Sequence, residues 1–378
     1  CKGKTMENKK YFYRIDILRL IFCLCVVVLH FENFYPLFSK NPFFGFYRAV
    51  DFFFILSGFL LMKSYKTQRY QTGFDFFSSK LKKLLPLNIL MLSLMCFFST
   101  FSELFANFSV KILVKSAYAF FINMLASVSD IFFLQIFIPV IENFMPNRAG
   151  DNLPIWYVSA MLIAEFLWFC LLSFKDQKNS NKSNSSRWVL LVSVFIYSYL
   201  AIQYKNLDLA RESTPILHVS CGFLRGFADV GIGIFLANYK IEVSSSFLKA
   251  LLKIFVPLFV IVFSLYAPYT VIDFVFIAFV SIMLLFEFSY TPKESKFLKN
   301  IGRFASKASL VLYFSHFFVI FYLYTPLFQK YPQIGENFFM SLLVRCGLLT
   351  VTGFAVYWLT KPVEKIINNI LAHTKTAE

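Results

Sequence analysis

Long apolar segments, separated by short polar ones, run along almost the whole chain. Ten of them are long enough to cross a bilayer as helices, which takes about 17–25 residues each. They lie near residues 15–35, 44–62, 84–103, 153–172, 188–204, 215–238, 247–267, 270–289, 308–328 and 338–360. This pattern predicts an all-α fold, a polytopic integral membrane protein with about ten transmembrane helices.

The composition supports a membrane protein and excludes several other classes. Of the 378 residues, 58% are apolar and 15% are charged, and Phe alone occupies 52 positions. Ordinary soluble proteins have roughly 45–50% apolar and about 25% charged residues. A disordered chain, a secreted disulfide scaffold and most soluble enzymes are therefore excluded.

The chain is basic, with 37 Lys and Arg against 21 Asp and Glu. The basic residues lie mainly in short loops between apolar segments, without a stacked basic and aromatic patch, so we expect no nucleic-acid partner. With ten spans and a cytoplasmic N-terminus, the inner segments hold 26 basic residues and the outer ones 7. Cytoplasmic loops are enriched in Lys and Arg, so both termini are predicted to be cytoplasmic.

The domain organisation follows from this arrangement. Residues 1–14 and 362–378 are predicted to be cytoplasmic tails, and residues 15–361 form one transmembrane domain. Residues 104–152 are interpreted as an outer-face excursion, interfacial or re-entrant, because an eleventh span there would move the later basic loops outside. Residues 173–187 are predicted to form a polar cytoplasmic linker.

The first span is the richest in polar residues. It contains Asp16, Arg19 and His30, and because a charge in a span costs about 2.5–3.5 kcal/mol or more, each is a functional candidate. Arg19 and His30 are 11 residues apart. At about 100° and 1.5 Å per residue, their side chains share one helix face, about 16 Å apart along the axis. Asp16 lies one helical turn before Arg19 and is predicted to pair with it.

The second span returns from the outside and carries the carboxylate of Asp51. We expect Asp51 to lie at the depth of His30, where it would orient the imidazole and raise its basicity. Gly58 allows close contact with another helix. Ser57 has two interpretations, a site residue or a hydroxyl bonded back to its own helix.

Later spans contain fewer polar candidates. Trp156 and Tyr157 begin the fourth span, where an aromatic pair is often an interfacial anchor rather than part of a site, and Ser159 follows them. Tyr313 and His316 lie in the ninth span, with His316 near mid-membrane, where it is either a packing residue or part of a site.

Two further patterns are interpreted structurally. Arg225 and Asp229 in the sixth span are four residues apart and are predicted to form an ion pair within one helix. The seven cysteines show no metal-ligand spacing, and the closest pair, Cys23 and Cys25, points about 200° apart on a helix. No metal site is predicted.

Six motifs, in this order, resemble acyltransferase family 3, the ten-span inner-membrane O-acyltransferases that modify cell-surface glycans. They are Arg19-x10-His30, Val50-Asp51-Phe-Phe-Phe-Ile-Leu-Ser57-Gly58-Phe59, Lys82-Lys83-Leu-Leu-Pro86, Leu-Pro-Ile-Trp156-Tyr157-Val-Ser159-Ala, Gly302…Ser309…Tyr313-x-x-His316 and Lys361-Pro362-Val-Glu364-Lys365. Many members carry a carboxylate where this chain has Met161, and Glu165 lies one helical turn further on. The chain is similar to the branch without an appended hydrolase-like domain.

The resemblance implies an O-acyltransferase, most often an O-acetyltransferase, that moves an acyl group from cytoplasmic acyl-CoA to a glycan hydroxyl on the outer side. His30 would be the general base, or alternatively a transient acyl carrier. Asp51 would hold the tautomer of His30, and Arg19 would be the third catalytic residue. Acetyl-CoA would be a co-substrate, and no permanently bound cofactor is implied.

Donor binding is expected at the inner face, where cations are available for the CoA phosphates. Residues 74–83, which include Lys80, are predicted to form a basic amphipathic helix there. The pantetheine arm would run along the stripe between Arg19 and His30. The residues expected to bind donor or acceptor are Asp16, Lys82, Lys83, Ser57, Trp156, Tyr157, Ser159, Tyr313 and His316.

The implied partners are acyl-CoA, a glycan or lipid-linked glycan and the lipid bilayer, with a homo-oligomer or a separate extracytoplasmic acceptor protein as further options. The implied location is the bacterial cytoplasmic membrane. A transporter or flippase for a lipid-linked glycan is the alternative function, since ten spans and buried ion pairs suit it equally well. A transporter, however, is expected to show internal repeats, and none is visible.

Overall fold

The computed structural model describes residues 11–134, 152–178, 187–204, 207–209, 219–265, 270–290 and 295–376. These residues are overwhelmingly helical, and no strand occurs among them. The α-helices are α1 (Tyr13–Phe34), α2 (Ala49–Lys66), α3 (Gly73–Ala106), α4 (Val110–Ala126), α5 (Val128–Ile131), α6 (Trp156–Lys178), α7 (Arg187–Gln203), α8 (Cys221–Leu236), α9 (Ser246–Phe263), α10 (Thr270–Ser289), α11 (Lys296–Phe318), α12 (Thr325–Lys330), α13 (Gln333–Glu336) and α14 (Phe338–Thr376). Short 3₁₀ helices at Phe44–Arg48 and Leu153–Ile155 precede α2 and α6, and a π-helical segment, Val319–Tyr324, follows α11.

Seven helical segments among the described residues are long and apolar enough to cross a membrane. They are Phe44–Lys66, Gly73–Leu104, Leu153–Asp176, Ser246–Phe263, Ile272–Ser289, Lys296–Lys330 and Phe338–Ile370. The prediction of an all-α membrane protein is therefore confirmed. The count of ten spans and the cytoplasmic termini stay predictions.

The three other predicted spans also contain helices. Helix α1 has 22 residues, half of them buried, and α8 has 16, most of them buried. Helix α7 is an apolar helix of 17 residues. All three therefore belong to the helix bundle, although none is among the seven segments that qualify by length and composition.

Helices α1 and α11 run side by side in the same direction. A Cβ atom on Gly302 would lie 2.6 Å from Cβ of Tyr13, so the two backbones nearly touch where Tyr13 begins α1 and Gly302 lies in the second turn of α11. Further along, the Cys23 thiol donates to the Ser309 carbonyl at 3.2 Å. This parallel packing carries the residues that follow Ser309 to the same depth as the end of α1.

Helices α2 and α8 approach each other even more closely. A Cβ atom on Gly58 would lie 2.0 Å from the Val230 carbonyl oxygen, and one on Gly233 would lie 2.0 Å from the Ile55 carbonyl oxygen. Small residues permit such contacts between membrane helices. The expectation of a close helix contact at Gly58 is confirmed.

Helix boundaries differ from the sequence-based ones at α3 and α14. The predicted amphipathic helix 74–83 and the span 84–103 form one helix of 34 residues that continues through Pro86. The helix begins with a reciprocal cap, in which the side chains of Thr72 and Asp75 each accept a hydrogen bond from the other residue's backbone amide. At about 1.5 Å per residue, the length of the helix exceeds the roughly 30 Å thickness of the hydrocarbon layer. Likewise, α14 continues through Pro362 for 39 residues, into the predicted tail.

The excursion predicted at 104–152 lies partly outside the described residues. Its described part contains α4 and α5, and α4 starts at Ser109, whose side chain accepts from the Ile112 amide. Lys115 on α4 pairs with Glu103 of α3 at 3.2 Å. Residues 135–151 are not described, and neither are 179–186 of the predicted linker.

Candidate active site

Two histidines meet between α1 and α11. His30 Nδ1 lies 2.9 Å from His316 Nε2, and the rings stack with centroids 5.1 Å apart. His316 is fully buried, whereas His30 is half-buried. The edge of Phe317 packs against the His30 ring at 4.9 Å and restricts it further.

Hydrogen bonding fixes the tautomer of the neutral pair. His316 Nδ1 lies 2.7 Å from the Tyr313 carbonyl oxygen, which can only accept, so the proton of His316 is on Nδ1. Its Nε2 is then an acceptor, and His30 must donate to it from Nδ1. The remaining nitrogen of His30, Nε2, therefore carries a lone pair, and no described residue hydrogen-bonds to it.

His30 lies in the wall of a cavity of about 140 Å³, here called the chamber. Its polar lining residues are His30, Asn33, Tyr47, Asp208, Arg225 and Tyr313. Trp156 and Phe44 contribute aromatic surface to it. A mostly apolar cavity with a few convergent polar groups is typical of a small-molecule site.

Arg225, on α8, supplies the positive charge in the chamber wall. Its guanidinium donates to Asp51 at 2.6 Å, to the Leu207 carbonyl at 2.6 Å and to the Tyr47 carbonyl at 3.3 Å. These bonds hold the guanidinium in one orientation. These bonds use three of its five N–H groups, and the side chain lines the chamber.

Asp51 does not orient His30, contrary to the sequence-based expectation. Its carboxylate is the counterion of Arg225, and both side chains are almost completely buried. A buried guanidinium needs a paired anion, so Asp51 bonds to Arg225 and not to the imidazole of His30. His316 takes the place that Asp51 was expected to fill beside His30.

The prediction that Arg225 pairs with Asp229 within α8 is also wrong. Arg225 bonds to Asp51 on α2, while Asp229 accepts a hydrogen bond from Tyr197 at 2.5 Å. Spacing along one helix cannot anticipate a stronger partner on a neighbouring helix. The pair therefore links α2 to α8 instead of stabilising α8 alone.

The charged pair at the start of α1 is confirmed. Arg19 Nη1 lies 3.2 Å from Asp16 Oδ1, and the Arg19 side chain is 33% exposed and thus accessible. Between Arg19 and His30 on the same face, Cys23 and Val26 are buried. The stripe expected to guide the donor is therefore closed by packing in this conformation.

The basic residues of α3 have two different environments. Lys80 forms an ion pair with Glu165, whose side chain is completely buried in α6. Lys82 and Lys83 are exposed. Glu165, one turn beyond Met161, therefore serves as the partner of Lys80, and Lys80 is less accessible than Lys82 and Lys83 to a phosphate.

The remaining predicted site residues have mixed positions. Trp156 reaches the chamber, and Tyr157 packs its ring against Tyr313 at 5.0 Å.

The two predicted serines bond to backbone carbonyls. Ser159 donates to the Phe133 carbonyl. Ser57 donates to the Phe54 carbonyl at 2.9 Å, the bond within its own helix that was one of its two interpretations. Ser57 and Ser159 are therefore engaged in backbone bonds.

Further buried ion pairs surround the chamber. Arg48 and Asp273 pair at 2.6 Å, and Arg345 and Glu32 pair at 2.9 Å. Each joins helices distant in sequence, so both help to fix the helices that carry the site. In the described part of the chain, no group of three or more His, Cys, Asp and Glu side chains is placed to hold a metal ion.

Sequence reasoning missed several chamber residues. Asn33, Tyr47 and Asp208 were not candidates, and Arg225 was considered only as part of an intrahelical pair. Asn33 follows His30 by one helical turn, a spacing that would have placed it on the same face. No comparable signal marks Asp208, because it lies outside the helices.

The comparison with known proteins identifies a family. The family model described as an acyltransferase domain, Acyl_transf_3, matches residues 12–360, nearly the whole chain. No curated protein and no solved structure matches it. The match includes the two histidines, the chamber and all the ion pairs described above. This chain therefore belongs to acyltransferase family 3 and is a membrane acyltransferase.

Proposed function

We propose that this protein is an O-acyltransferase, specifically an O-acetyltransferase, acting from acyl-CoA on a hydroxyl of a cell-surface or exported glycan. Its proposed location is the bacterial cytoplasmic membrane. The observation that carries the proposal is the position of His30 in the wall of the chamber, with its Nδ1 bonded to His316 and no described residue bonded to its Nε2. Such an imidazole is suited to remove a proton from an acceptor hydroxyl.

The reaction steps follow from this arrangement. His30 Nε2 takes the hydroxyl proton while the hydroxyl oxygen attacks the thioester carbonyl of the donor. The carbon–sulfur bond then breaks, and the CoA thiolate leaves with the proton that His30 accepted. His316 accepts from His30 Nδ1 throughout and stabilises the transient imidazolium.

Arg225 is proposed to stabilise the negative charge that develops on the carbonyl oxygen. Preorganised donors aimed at a developing oxyanion often provide the largest single contribution to catalysis. Three of the Arg225 bonds are to protein groups, so its orientation is set before substrate arrives. In this scheme Asp51 is a positioning residue for Arg225 and not part of a dyad with His30.

The volume of the chamber favours a short acyl group. Its 140 Å³ is below the range of about 300–1,000 Å³ that is typical of pockets for larger ligands, and this favours a two-carbon acyl group. The CoA phosphates are proposed to bind Arg19, Lys82 and Lys83, all accessible cations. Since Cys23 and Val26 are buried, donor entry requires the helices beside α1 to move.

The test uses membranes that contain the full chain, with acetyl-, propionyl-, succinyl- and palmitoyl-CoA offered separately. We expect release of free CoA with acetyl-CoA, less with propionyl- and succinyl-CoA, and none above background with palmitoyl-CoA. Membranes without the protein are the control. Absence of CoA release from every donor would contradict the proposed acyl transfer from acyl-CoA. It would favour the alternative function, a transporter of lipid-linked glycan.

A further inference from the structure

A second cavity lies between α11 and α14. Its volume is about 430 Å³, three times that of the chamber, and its walls are mainly apolar. Val311 and Leu312 line one side, and Leu349 and Phe354 line the other. We call this cavity the groove.

The groove faces away from the catalytic site. Helix α11 contacts α1 through Gly302 and Ser309. Lys307, in the groove, is two residues before Ser309, so it points about 200° away from the face that contacts α1. The groove is thus separate from the route between Arg19 and His30.

The length of the groove matches one leaflet of a bilayer. On α11 it extends from Arg303 to Leu312. Nine residue steps at about 1.5 Å each give about 14 Å. This distance is close to half of the roughly 30 Å hydrocarbon thickness. A lipid headgroup at the basic end and the first part of its acyl chain therefore fit along the groove.

One end of the groove is cationic. Arg303 and Lys307 line it and are both exposed. Lys307 donates to the Tyr357 hydroxyl at 3.3 Å, and Arg303 lies over the Tyr13 ring at 5.9 Å. No acidic side chain in the described part of the chain pairs with either cation. Lys361 adds a third positive charge nearby, beside Tyr357.

We propose that the groove binds one anionic glycerophospholipid. Its phosphate lies between Arg303 and Lys307, and one acyl chain lies along the apolar walls toward Leu312. Long basic side chains that extend to the membrane surface are suited to a lipid phosphate. The apolar walls provide a site for an acyl chain. A soluble phosphate has no such chain, so the walls favour a phospholipid.

Gly353 gives the groove part of its depth. It lines the groove, and a Cβ atom there would meet only Leu312 Cδ2, at an ordinary contact distance of 3.7 Å. A large side chain at this position therefore fills the groove without a clash at its base. Gly347, on the same helix, has no atom within 4 Å of such a Cβ and provides a matched control.

The headgroup is tested by native mass spectrometry of the full chain in detergent, titrated with dioleoylphosphatidylglycerol or dioleoylphosphatidylcholine. We expect the parent to retain one phosphatidylglycerol in preference to phosphatidylcholine. Because basic side chains near a lipid phosphate strengthen its binding, Arg303→Ala with Lys307→Ala should weaken phosphatidylglycerol binding by about tenfold or more. Lys296→Ala with Lys299→Ala removes two exposed cations of the same helix and should leave binding unchanged.

The acyl chain is tested in the same experiment. Gly353→Leu should lower retention of phosphatidylglycerol, and Gly347→Leu should not. Equal retention of the two lipids by the parent would overturn the proposal. So would unchanged phosphatidylglycerol binding in either the Arg303→Ala, Lys307→Ala variant or the Gly353→Leu variant. A thermal unfolding measurement on each variant confirms that it is folded.

Discussion

At the residue scale, the proposed chemistry depends on which nitrogen of His30 carries the lone pair. The Tyr313 carbonyl determines the proton position on His316, and His316 in turn determines it on His30. This chain of bonds needs no carboxylate beside the imidazole. It therefore provides an uncharged way to orient a base in an apolar environment.

Substitution of His316 tests this chain of bonds. His316→Gln keeps an acceptor near the Nε2 position, whereas His316→Phe keeps the ring shape and removes the acceptor. We expect the Phe variant to lose about 10²–10⁴-fold in kcat and the Gln variant to lose far less. Steady-state kinetics with acetyl-CoA measure the difference, and equal losses in both variants would contradict the role of His316.

Asp51 and Arg225 give a second residue-scale prediction. Asp51→Asn leaves a buried guanidinium without its counterion and should cost about 3–5 kcal/mol of stability. Adding Arg225→Gln removes the uncompensated charge, so the double variant should recover part of that loss in thermal unfolding. Its activity should stay low, because Arg225 also lines the chamber. Recovery of activity together with stability would show that Arg225 has only a structural role.

Some positions predicted from the sequence agree with the structure, whereas the roles of the candidate residues stay predictions. The 11-residue spacing placed Arg19 and His30 on one face, and the depth of Asp51 near the chamber was anticipated from the direction of the second span. Depth does not specify which neighbouring helix a side chain faces. For this reason the partners of Asp51 and Arg225 could be found only from the packed helices.

At the element scale, the contact between α2 and α8 positions Asp51 against Arg225. This contact depends on Gly58 and Gly233, where any Cβ atom would meet a backbone carbonyl at 2.0 Å. Backbone atoms cannot move aside as a flexible side chain can. The two helices would have to separate to accept even an alanine.

Gly58→Ala and Gly233→Ala should each destabilise the protein by about 1–3 kcal/mol or more. Gly347→Ala on α14 is the control, and it should be neutral or slightly stabilising because the site is open and alanine favours helix. Thermal unfolding of the purified protein in detergent gives the comparison. A Gly58→Ala variant as stable as the control would contradict the close packing of α2 and α8.

Helix ends were less predictable than helix positions. The sequence analysis separated residues 74–83 from the span 84–103 and ended the last span at 360, but each pair of segments is one continuous helix that passes through Pro86 or Pro362. A proline removes one hydrogen bond and often kinks a helix, yet neighbouring helices can compensate within a bundle. Local signals therefore underestimated the lengths of α3 and α14.

At the scale of the whole molecule, the distribution of charge predicts orientation. Ser39 follows α1, and Thr67 follows α2, so they lie at opposite faces of the bundle, and both are exposed. In a cysteine-free background, an impermeant maleimide added to intact cells should label Ser39→Cys but not Thr67→Cys. Labelling of Thr67→Cys alone would reverse the orientation inferred from the basic loops.

The overall architecture was predictable because apolar length and charge bias act along the chain. The all-α membrane fold and the family followed from those patterns and from the motif order. The chamber and the groove did not, because each is formed by side chains from helices far apart in sequence. Arg303 and Gly353, for example, are 50 residues apart yet line one groove.

The most direct test of the central claim is transfer of label from acetyl-CoA in membranes that contain the parent, His30→Ala or Leu24→Ala at equal abundance. Leu24 is an exposed residue of α1 and controls for truncation of a side chain on the same helix. We predict that the parent and Leu24→Ala transfer or release the acetyl group, while His30→Ala does so at least about 10²-fold more slowly. Full activity in His30→Ala would contradict the role of His30 as the base, because the imidazole in the wall of the chamber would then have no part in the reaction.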